Sequence, residues 1–160
     1  MGLSEERIEV RLGPCSYEIL IGSDWIQEFP TVLASRVTPS RVLVVTDSQV
    51  QQVCGDRLTA ALAEHFPTEC LVVPAGETSK SVSQAERLWS RFAQSGVDRK
   101  SVVIACGGGV VGDLAGFVAA TFARGLHWVQ VPTTLMAQVD SSIGGNVAIN
   151  LPQAKNIVGG

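Results

Sequence analysis

The chain has 160 residues, of which 46% are hydrophobic and 17% charged, and this predicts one globular domain with a single core. A net charge of −3 argues against a broad nucleic-acid-binding surface. The two most apolar windows, residues 101–123 and 126–149, each contain an aspartate, so we expect neither to span a membrane. The polar N-terminal residues contain no apolar signal segment, and we therefore expect a cytoplasmic protein.

Two alternating segments near the start of the chain, residues 7–12 and 17–21, predict an antiparallel β-hairpin. Gly13 and Pro14 lie between them and supply the turn. Residues 24–35 are compatible with a helix that has Asp24 near its N-cap and is broken or kinked at Pro30.

From residue 41 onward, short apolar runs alternate with longer helical patterns. The runs expected to form buried strands are residues 42–45, 70–73, 102–105 and 128–131. The expected helices cover residues 49–65, 82–94 and 110–122, and a further helix from about residue 133. This alternation predicts an α/β fold, a Rossmann-like parallel sheet with flanking helices and the N-terminal β-hairpin. Residues 151–160 carry a turn signal but no predicted strand or helix, so we expect a domain boundary there.

Parallel sheets bind ligands beyond the carboxyl ends of their strands. Those positions hold Asp47, the turn at residues 75–80, the loop at residues 107–113, and Thr133 with Thr134. The sequence therefore predicts a site of nucleotide size along this edge.

The glycine-rich loop at residues 107–112 is the most specific of these signals. It matches the pattern G-x-G-x-x-G, follows a buried strand and precedes a helix, as expected of a phosphate-binding turn. It is not the first strand–helix turn, however, and no acidic residue follows about 20 positions later, so the standard dinucleotide fingerprint is incomplete. The alternative is a tight turn that serves packing.

Charged residues are scarce around this loop. Between residues 101 and 154 the only ones are Asp113, Arg124 and Asp140. A charge in apolar surroundings is costly unless it is paired or used, so each is a candidate functional residue or one member of a structural ion pair.

Two further segments allow both a functional and a structural interpretation. The turn at residues 75–80 could bind a ribose or base, or it could be a solvated loop before a helix capped by Ser81 with Gln84 three residues on. Residues 140–145 are rich in small polar side chains, which suits close backbone approach to a ligand. Lys155 and Asn156 could face the same pocket or form a surface turn.

The cysteines and histidines indicate no metal site within this chain. Four cysteines follow no metal-binding or redox spacing, and His65 and His127 lie far apart, so we expect free thiols.

Three motifs together resemble the 3-dehydroquinate synthase family. They are GGGVVGDLAGFVAATFARG at residues 107–125, QVPTTLMAQVDSSIGG at residues 130–145 and KNIVG at residues 155–159. The similarity runs from about Val42 to the last residue. It implies that residues 1–160 form an NAD-binding α/β domain. It also implies a divalent metal, zinc or cobalt, bound by a glutamate and two histidines in a C-terminal helical domain absent from this chain.

The resemblance also implies which residues contact NAD. The adenosine side would lie against Asp47 and the turn formed by Ala75, Gly76, Glu77, Thr78, Ser79 and Lys80. The pyrophosphate would lie against Gly109, Val110, Val111, Gly112 and Asp113. Thr133 and Thr134 would also contact the cofactor.

On the substrate side, the resemblance implies that Asp140 lies near the nicotinamide and a substrate hydroxyl, and Arg124 at the substrate phosphate. Lys155 and Asn156 would help to form the pocket. Where the family has a lysine after the paired glycines, this chain has Asn146. An amide keeps donor capacity there but loses the charge, and the sequence leaves open whether this marks a lesion or a divergent substrate.

The implied reaction converts a small-molecule sugar phosphate, 3-deoxy-D-arabino-heptulosonate 7-phosphate, to 3-dehydroquinate and phosphate with recycling of NAD. The chain alone is expected to be inactive. Two alternatives remain, an NAD-linked polyol or glycerol dehydrogenase-like protein and a non-catalytic nucleotide-binding module. A homodimer is compatible with the sequence, and neither nucleic acid nor a membrane is an expected partner.

Overall fold

A four-stranded parallel sheet forms the centre of the protein, as a computed structural model shows for residues 6–160, the part of the chain that it describes. The order across the sheet is β4 (Thr68–Val73), β3 (Val42–Asp47), β5 (Val102–Gly107) and β6 (His127–Pro132). These strands coincide with the predicted apolar runs, and each is two residues longer than its run. The predicted α/β fold is confirmed.

Side chains on β3 and β5 alternate between two apolar layers, because successive residues of a strand point to opposite faces. Val42 and Val44 face one layer with Ile104, and Leu43 faces the other with Val103. All five are fully buried. Both faces of the sheet are therefore covered, which explains why the runs are continuously apolar rather than alternating.

The helices that cover the sheet are α1 (Phe29–Ala34), α2 (Ser48–Val50), α3 (Asp56–Ala63), α4 (Val82–Gln94) and α5 (Gly109–Thr121). A π-helical segment, Gln51–Gly55, joins α2 to α3, so the predicted helix at 49–65 is nearly continuous. Ser81 caps α4 as predicted, its hydroxyl accepting from the Gln84 N–H at 3.4 Å.

The helix predicted at residues 24–35 is shorter than expected. It begins at Phe29 with Pro30 in its first turn, where the missing N–H and fixed φ of proline are tolerated. Asp24 has φ +58° and lies outside the helix. The proposed cap and the break at Pro30 were therefore wrong.

Two antiparallel hairpins flank the sheet. The predicted N-terminal hairpin is present as β1 (Glu6–Val10) and β2 (Tyr17–Ile21). A second hairpin, β7 (Ala148–Leu151) with β8 (Ala154–Gly159), corrects the expectation that residues 151–160 contain no strand. Ile149 on β7 is fully buried in the layer that contains α5, so tertiary packing rather than the local pattern supports this hairpin.

The strand order reverses between β3 and β5. From β3 the chain crosses to β4 on one side, and from β4 it returns past β3 to β5 and then to β6. Such a switch point leaves a crevice beyond the carboxyl ends of the two central strands, where ligands bind in open α/β sheets. Asp47 and Gly107 end these strands.

Within residues 6–160, no helix has both the length and the apolar character needed to cross a membrane.

Helix α5 packs against β6 and β7 without room for a side chain at Gly116. A Cβ atom built there would lie 2.4 Å from Val147 Cγ1 and 2.7 Å from Trp128 Cζ3. Contacts this short require the ring or the backbone to move.

We predict that Gly116→Ala lowers the free energy of unfolding by about 1–3 kcal/mol, because overpacking outweighs the helix propensity that alanine adds. Urea unfolding followed by circular dichroism measures the change. Gly55→Ala is the matched control, because the nearest atoms to its Cβ lie at 3.4 Å, and it should be neutral or stabilising. A Gly116→Ala protein as stable as the wild type would contradict the packing argument.

Candidate functional site

The glycine loop brings the N-terminus of α5 to the crevice at the switch point. The first helical hydrogen bond runs from Gly112 N to Gly108 O at 3.0 Å, so the N–H groups of residues 109–111 precede the helical ladder. No side chain caps this helix at Gly108. These donors and the positive end of the helix dipole suit a phosphate group.

Close packing explains the glycines of this loop. None of residues 107–109 has a left-handed backbone. A Cβ at Gly107 would lie 2.6 Å from Val111 Cβ, and one at Gly109 would lie 3.0 Å from Ser141 Oγ. The packing and phosphate-binding interpretations are therefore compatible, because the same close approach exposes backbone N–H groups to a ligand.

Thr133 and Thr134 lie beside this loop at the end of β6. The Thr133 N–H donates to Gly107 O at 3.0 Å, and Thr134 Oγ1 accepts from the Ala137 N–H at 3.2 Å. The helix expected from about residue 133 begins after Thr134 and continues as a π-helical segment, Ala137–Ser141. The Thr133 Oγ1 atom is buried and has no hydrogen-bond partner among residues 6–160. An unsatisfied buried hydroxyl next to free helix N–H groups fits a bound polar cofactor such as NAD.

Asp47 lies across the crevice from the glycine loop. Its Oδ1 atom accepts from the N–H groups of Gln49 at 2.8 Å and Val50 at 2.9 Å, which caps α2. One carboxylate oxygen of Asp47 thus has a structural role as the cap of α2.

A glycine backbone, a serine hydroxyl and an ion pair hold the turn at residues 75–80 in place. Gly76 has φ +105°, which favours glycine, and Ser79 Oγ donates to Pro74 O at 2.5 Å. The Lys80 ammonium forms an ion pair with the Asp113 carboxylate on α5, and these side chains are only 6% and 19% exposed. The structural alternative considered for Asp113 is therefore present, and it ties the turn to the glycine-loop helix.

Asp113, Asn146 and Asn156 line one cleft of about 360 Å³ with residues of the β7–β8 hairpin. Asn156 has φ +53°, a left-handed conformation uncommon for a residue with a side chain. The exposed Lys155 precedes it on β8.

Asp140 is exposed in the π-helical segment that follows Thr134, and π-helical turns recur at functional sites.

Arg124 lies apart from these residues. It follows the C-terminal end of α5, whose 13 residues span about 20 Å from the glycine loop. Ala123, Arg124 and Gly125 have φ values of +50°, +70° and +109°, so three consecutive residues form a left-handed turn. Arg124 is not among the residues that line the cleft.

Two residues of this region were missed by sequence reasoning. The hydroxyl of Tyr17, on the N-terminal hairpin, accepts from the Gly144 N–H at 2.9 Å and so supports the turn before Asn146. Asn150 on β7 contacts both the turn at residues 75–80 and β8. Neither residue belongs to a recognisable motif, and their partners are distant in sequence.

The cysteines are not arranged for catalysis. All four are free thiols. Burial raises the pKa of the Cys106 thiol, and Cys54, whose Sγ lies 4.0 Å away, raises it further. Cys106 is therefore a neutral, packed residue at the end of β5 rather than a nucleophile. Among residues 6–160, no three His, Cys, Asp or Glu side chains are grouped closely enough to bind a metal ion.

The sequence of this chain is similar to those of known proteins. Residues 70–160 match the family described as 3-dehydroquinate synthase N-terminal. The chain is 48% identical over 153 residues to the 3-dehydroquinate synthase of Desulforamulus reducens, an alignment covering 95% of this chain and 43% of that protein. The corresponding enzyme of Symbiobacterium thermophilum is 49% identical over 152 residues, covering 94% and 42%. The chain thus spans less than half the length of these relatives.

Solved structures share the fold. A 2-deoxy-scyllo-inosose synthase in complex with carbaglucose-6-phosphate, NAD⁺ and Co²⁺ has a TM-score of 0.89 and 25% identity, covering 96% of this chain and 42% of that one. The 2-epi-5-epi-valiolone synthase of Streptomyces hygroscopicus subsp. jinggangensis 5008, with NAD⁺ and Zn²⁺, has a TM-score of 0.73 and 29% identity, covering 84% and 37%. A glycerol dehydrogenase from Schizosaccharomyces pombe, with a TM-score of 0.62 and 16% identity, covers 84% and 33% and is similar in fold alone.

We predict that Lys80→Met lowers the free energy of unfolding by about 2–4 kcal/mol, because it leaves the mostly buried Asp113 carboxylate without its cation. Chemical unfolding of the variant and the wild type measures this. Lys155→Met removes an exposed lysine and should change stability by less than about 0.5 kcal/mol.

The double variant Lys80→Met, Asp113→Leu replaces both charges with apolar groups and should recover most of the lost stability. A Lys80→Met protein of wild-type stability would show that the ion pair contributes nothing to the connection between the turn and α5.

Proposed function

Because the chain belongs to the 3-dehydroquinate synthase N-terminal family, we propose that it is the NAD-binding domain of a 3-dehydroquinate synthase. The observation that carries the proposal is the uncapped N-terminus of α5 at the switch point, with the unpartnered Thr133 hydroxyl beside it. Both features provide polar groups that a dinucleotide would satisfy.

In this proposal one group of residues around the crevice binds the phosphates of the cofactor and a second group binds its adenosine. The N–H groups of residues 109–111 bind the pyrophosphate, and Thr133 Oγ1 binds a polar group of the same cofactor. Asp47 Oδ2 and the exposed Glu77 and Thr78 lie where the adenosine ribose and base are expected. Bound NAD supplies a reversible hydride acceptor for one hydroxyl of the substrate.

The substrate side of the proposal rests on the cleft that Asp113, Asn146 and Asn156 share. Their amide and carboxylate groups can orient the hydroxyls of a sugar phosphate, with Lys155 and Asp140 at the margins. The substrate proposed is 3-deoxy-D-arabino-heptulosonate 7-phosphate. The divalent metal that the family resemblance implies has no ligand set among residues 6–160, so no step is assigned to it here.

Arg124 enters this proposal only through a second copy of the chain. It follows the C-terminal end of α5 and is not among the residues that line the cleft, so in this proposal an Arg124 that binds substrate phosphate belongs to a neighbouring subunit's site. A homodimer in the cytoplasm is therefore part of the proposal.

We predict that the full-length protein, incubated with the heptulosonate phosphate and NAD, releases inorganic phosphate without accumulation of NADH. A coupled phosphate assay and absorbance at the NADH band measure the two quantities in one reaction. The expected result follows from recycling of the hydride within each turnover.

Two other outcomes would favour the alternatives. Accumulation of NADH in proportion to product would indicate a polyol or glycerol dehydrogenase-like reaction. NAD binding by calorimetry with neither phosphate release nor NADH would indicate a non-catalytic nucleotide-binding module.

A second prediction concerns the position where the family carries lysine. Asn146→Lys in the full-length protein should raise kcat/KM for the heptulosonate phosphate about ten- to a hundredfold, because a charge-assisted hydrogen bond contributes about 1.5–3 kcal/mol. Steady-state kinetics measures the gain. Asn146→Gln lengthens the side chain without adding charge and should give none. An unchanged kcat/KM for Asn146→Lys would contradict the interpretation of Asn146 as a lost cation.

A further inference from the structure

Asn150 occupies an irregular position in the β7–β8 hairpin. Ile149 pairs with Val158 and Leu151 pairs with Ala154, so Asn150 alone on β7 lies opposite three residues of β8, Lys155, Asn156 and Ile157, which form the bulge. Bulges redirect a residue away from the ladder, and they occur next to binding sites. The backbone of Asn150 instead bridges to Ser81, and its N–H donates to Lys80 O at 2.8 Å.

The side chain of Asn150 joins two segments that are otherwise separate. Its Nδ2 atom donates to Glu77 Oε1 at 2.7 Å, and its Oδ1 atom accepts from the Asn156 N–H at 2.8 Å. A carboxylate can only accept and an N–H can only donate, so these partners fix one orientation of the amide.

One side of this connection is the turn at residues 75–80. Glu77 is exposed toward solvent but oriented by Asn150, and Lys80 is held through both its carbonyl, by Asn150, and its ammonium, by Asp113. Movement of the turn is therefore transmitted to Asn150 through a side chain and a backbone contact.

The other side is the cleft. The Asn156 backbone has φ +53°, which costs free energy unless surrounding contacts hold it. The hydrogen bond from its N–H to Asn150 is such a contact, and Asn156 lines the cleft with Asn146 and Asp113.

We propose that Asn150 is a positioning residue through which a cofactor on the turn at residues 75–80 sets the geometry of Lys155 and Asn156. Asn150 itself contacts neither cofactor nor substrate. The inference rests on the proposed function insofar as NAD occupies that turn. It goes beyond that function because it makes cofactor binding a condition for an ordered substrate pocket.

The test is hydrogen exchange of residues 154–160 in the full-length protein, with and without saturating NAD, while calorimetry confirms NAD binding. In the wild type, NAD should slow exchange of the Asn156 amide about tenfold, the effect expected of one stabilised hydrogen bond. Asn150→Asp keeps the acceptor for Asn156 but places a carboxylate against Glu77. This variant should bind NAD and lose the slowing.

Two further variants separate the hydrogen bond from a general effect on folding. Glu77→Gln retains a carbonyl acceptor for Asn150 Nδ2, so the slowing should persist at an NAD concentration that calorimetry shows to saturate this variant. The double variant Asn150→Asp, Glu77→Gln reverses donor and acceptor, since the new amide can donate to the new carboxylate, and should restore the slowing. If Asn150→Asp does not fold, Asn150→Ser, whose hydroxyl is too short to bridge both partners, takes its place.

The outcomes distinguish this inference from the proposed function. NAD binding that leaves exchange of residues 154–160 unchanged in the wild type overturns the inference alone, as does full slowing in Asn150→Asp. Failure of the double variant to restore the slowing, when calorimetry shows that it is saturated with NAD, also overturns it. A wild-type protein that does not bind NAD overturns the proposed function and this inference with it.

Discussion

Helix α5 lies so close to β6 and β7 that no side chain fits at two of its glycines, Gly112 and Gly116. A Cβ built at Gly112 would lie 2.6 Å from Gln130 Oε1, and one at Gly116 would lie 2.4 Å from Val147 Cγ1. This contact fixes both ends of the helix. Its uncapped N-terminus meets the crevice between β3 and β5, and its C-terminal end carries Arg124 to the opposite edge of the sheet. The proposed division of the site between subunits follows from this one contact.

A small polar network completes the site around an otherwise apolar core. The ion pair of Lys80 with Asp113 connects the second strand–helix turn to α5, and Asn150 connects the same turn to the β7–β8 hairpin. Groups of this kind are costly to bury singly and are stable when each has a partner. The proposed cofactor side and the proposed substrate side therefore share a common set of contacts, which is a physical basis for coupling between them.

Much of the fold follows from local patterns. The four parallel strands, the helices that cover them and the Ser81 cap correspond to apolar runs and capping residues that the sequence displays. The same patterns failed at Pro30, which lies in the first turn of a helix instead of breaking one. They also failed at residues 148–159, whose hairpin depends on contact with α5. For the site, strand-end positions predicted Asp47, the glycine loop and Thr133. Tyr17 and Asn150 could not be predicted, because the contacts of Tyr17 with Gly144 and of Asn150 with Glu77 join residues 127 and 73 positions apart.

The sequence by itself determined the fold class, the family resemblance and the glycine loop as a candidate phosphate site, since each depends on residues close together in the chain. Only the tertiary structure decided which residues meet. It paired Asp113 with Lys80, left the Thr133 hydroxyl without a hydrogen-bond partner among residues 6–160, and left Arg124 outside the lining of the cleft. The physical reason is that burial and pairing of a polar group depend on how helices and strands pack, and that packing joins residues which local periodicity cannot relate.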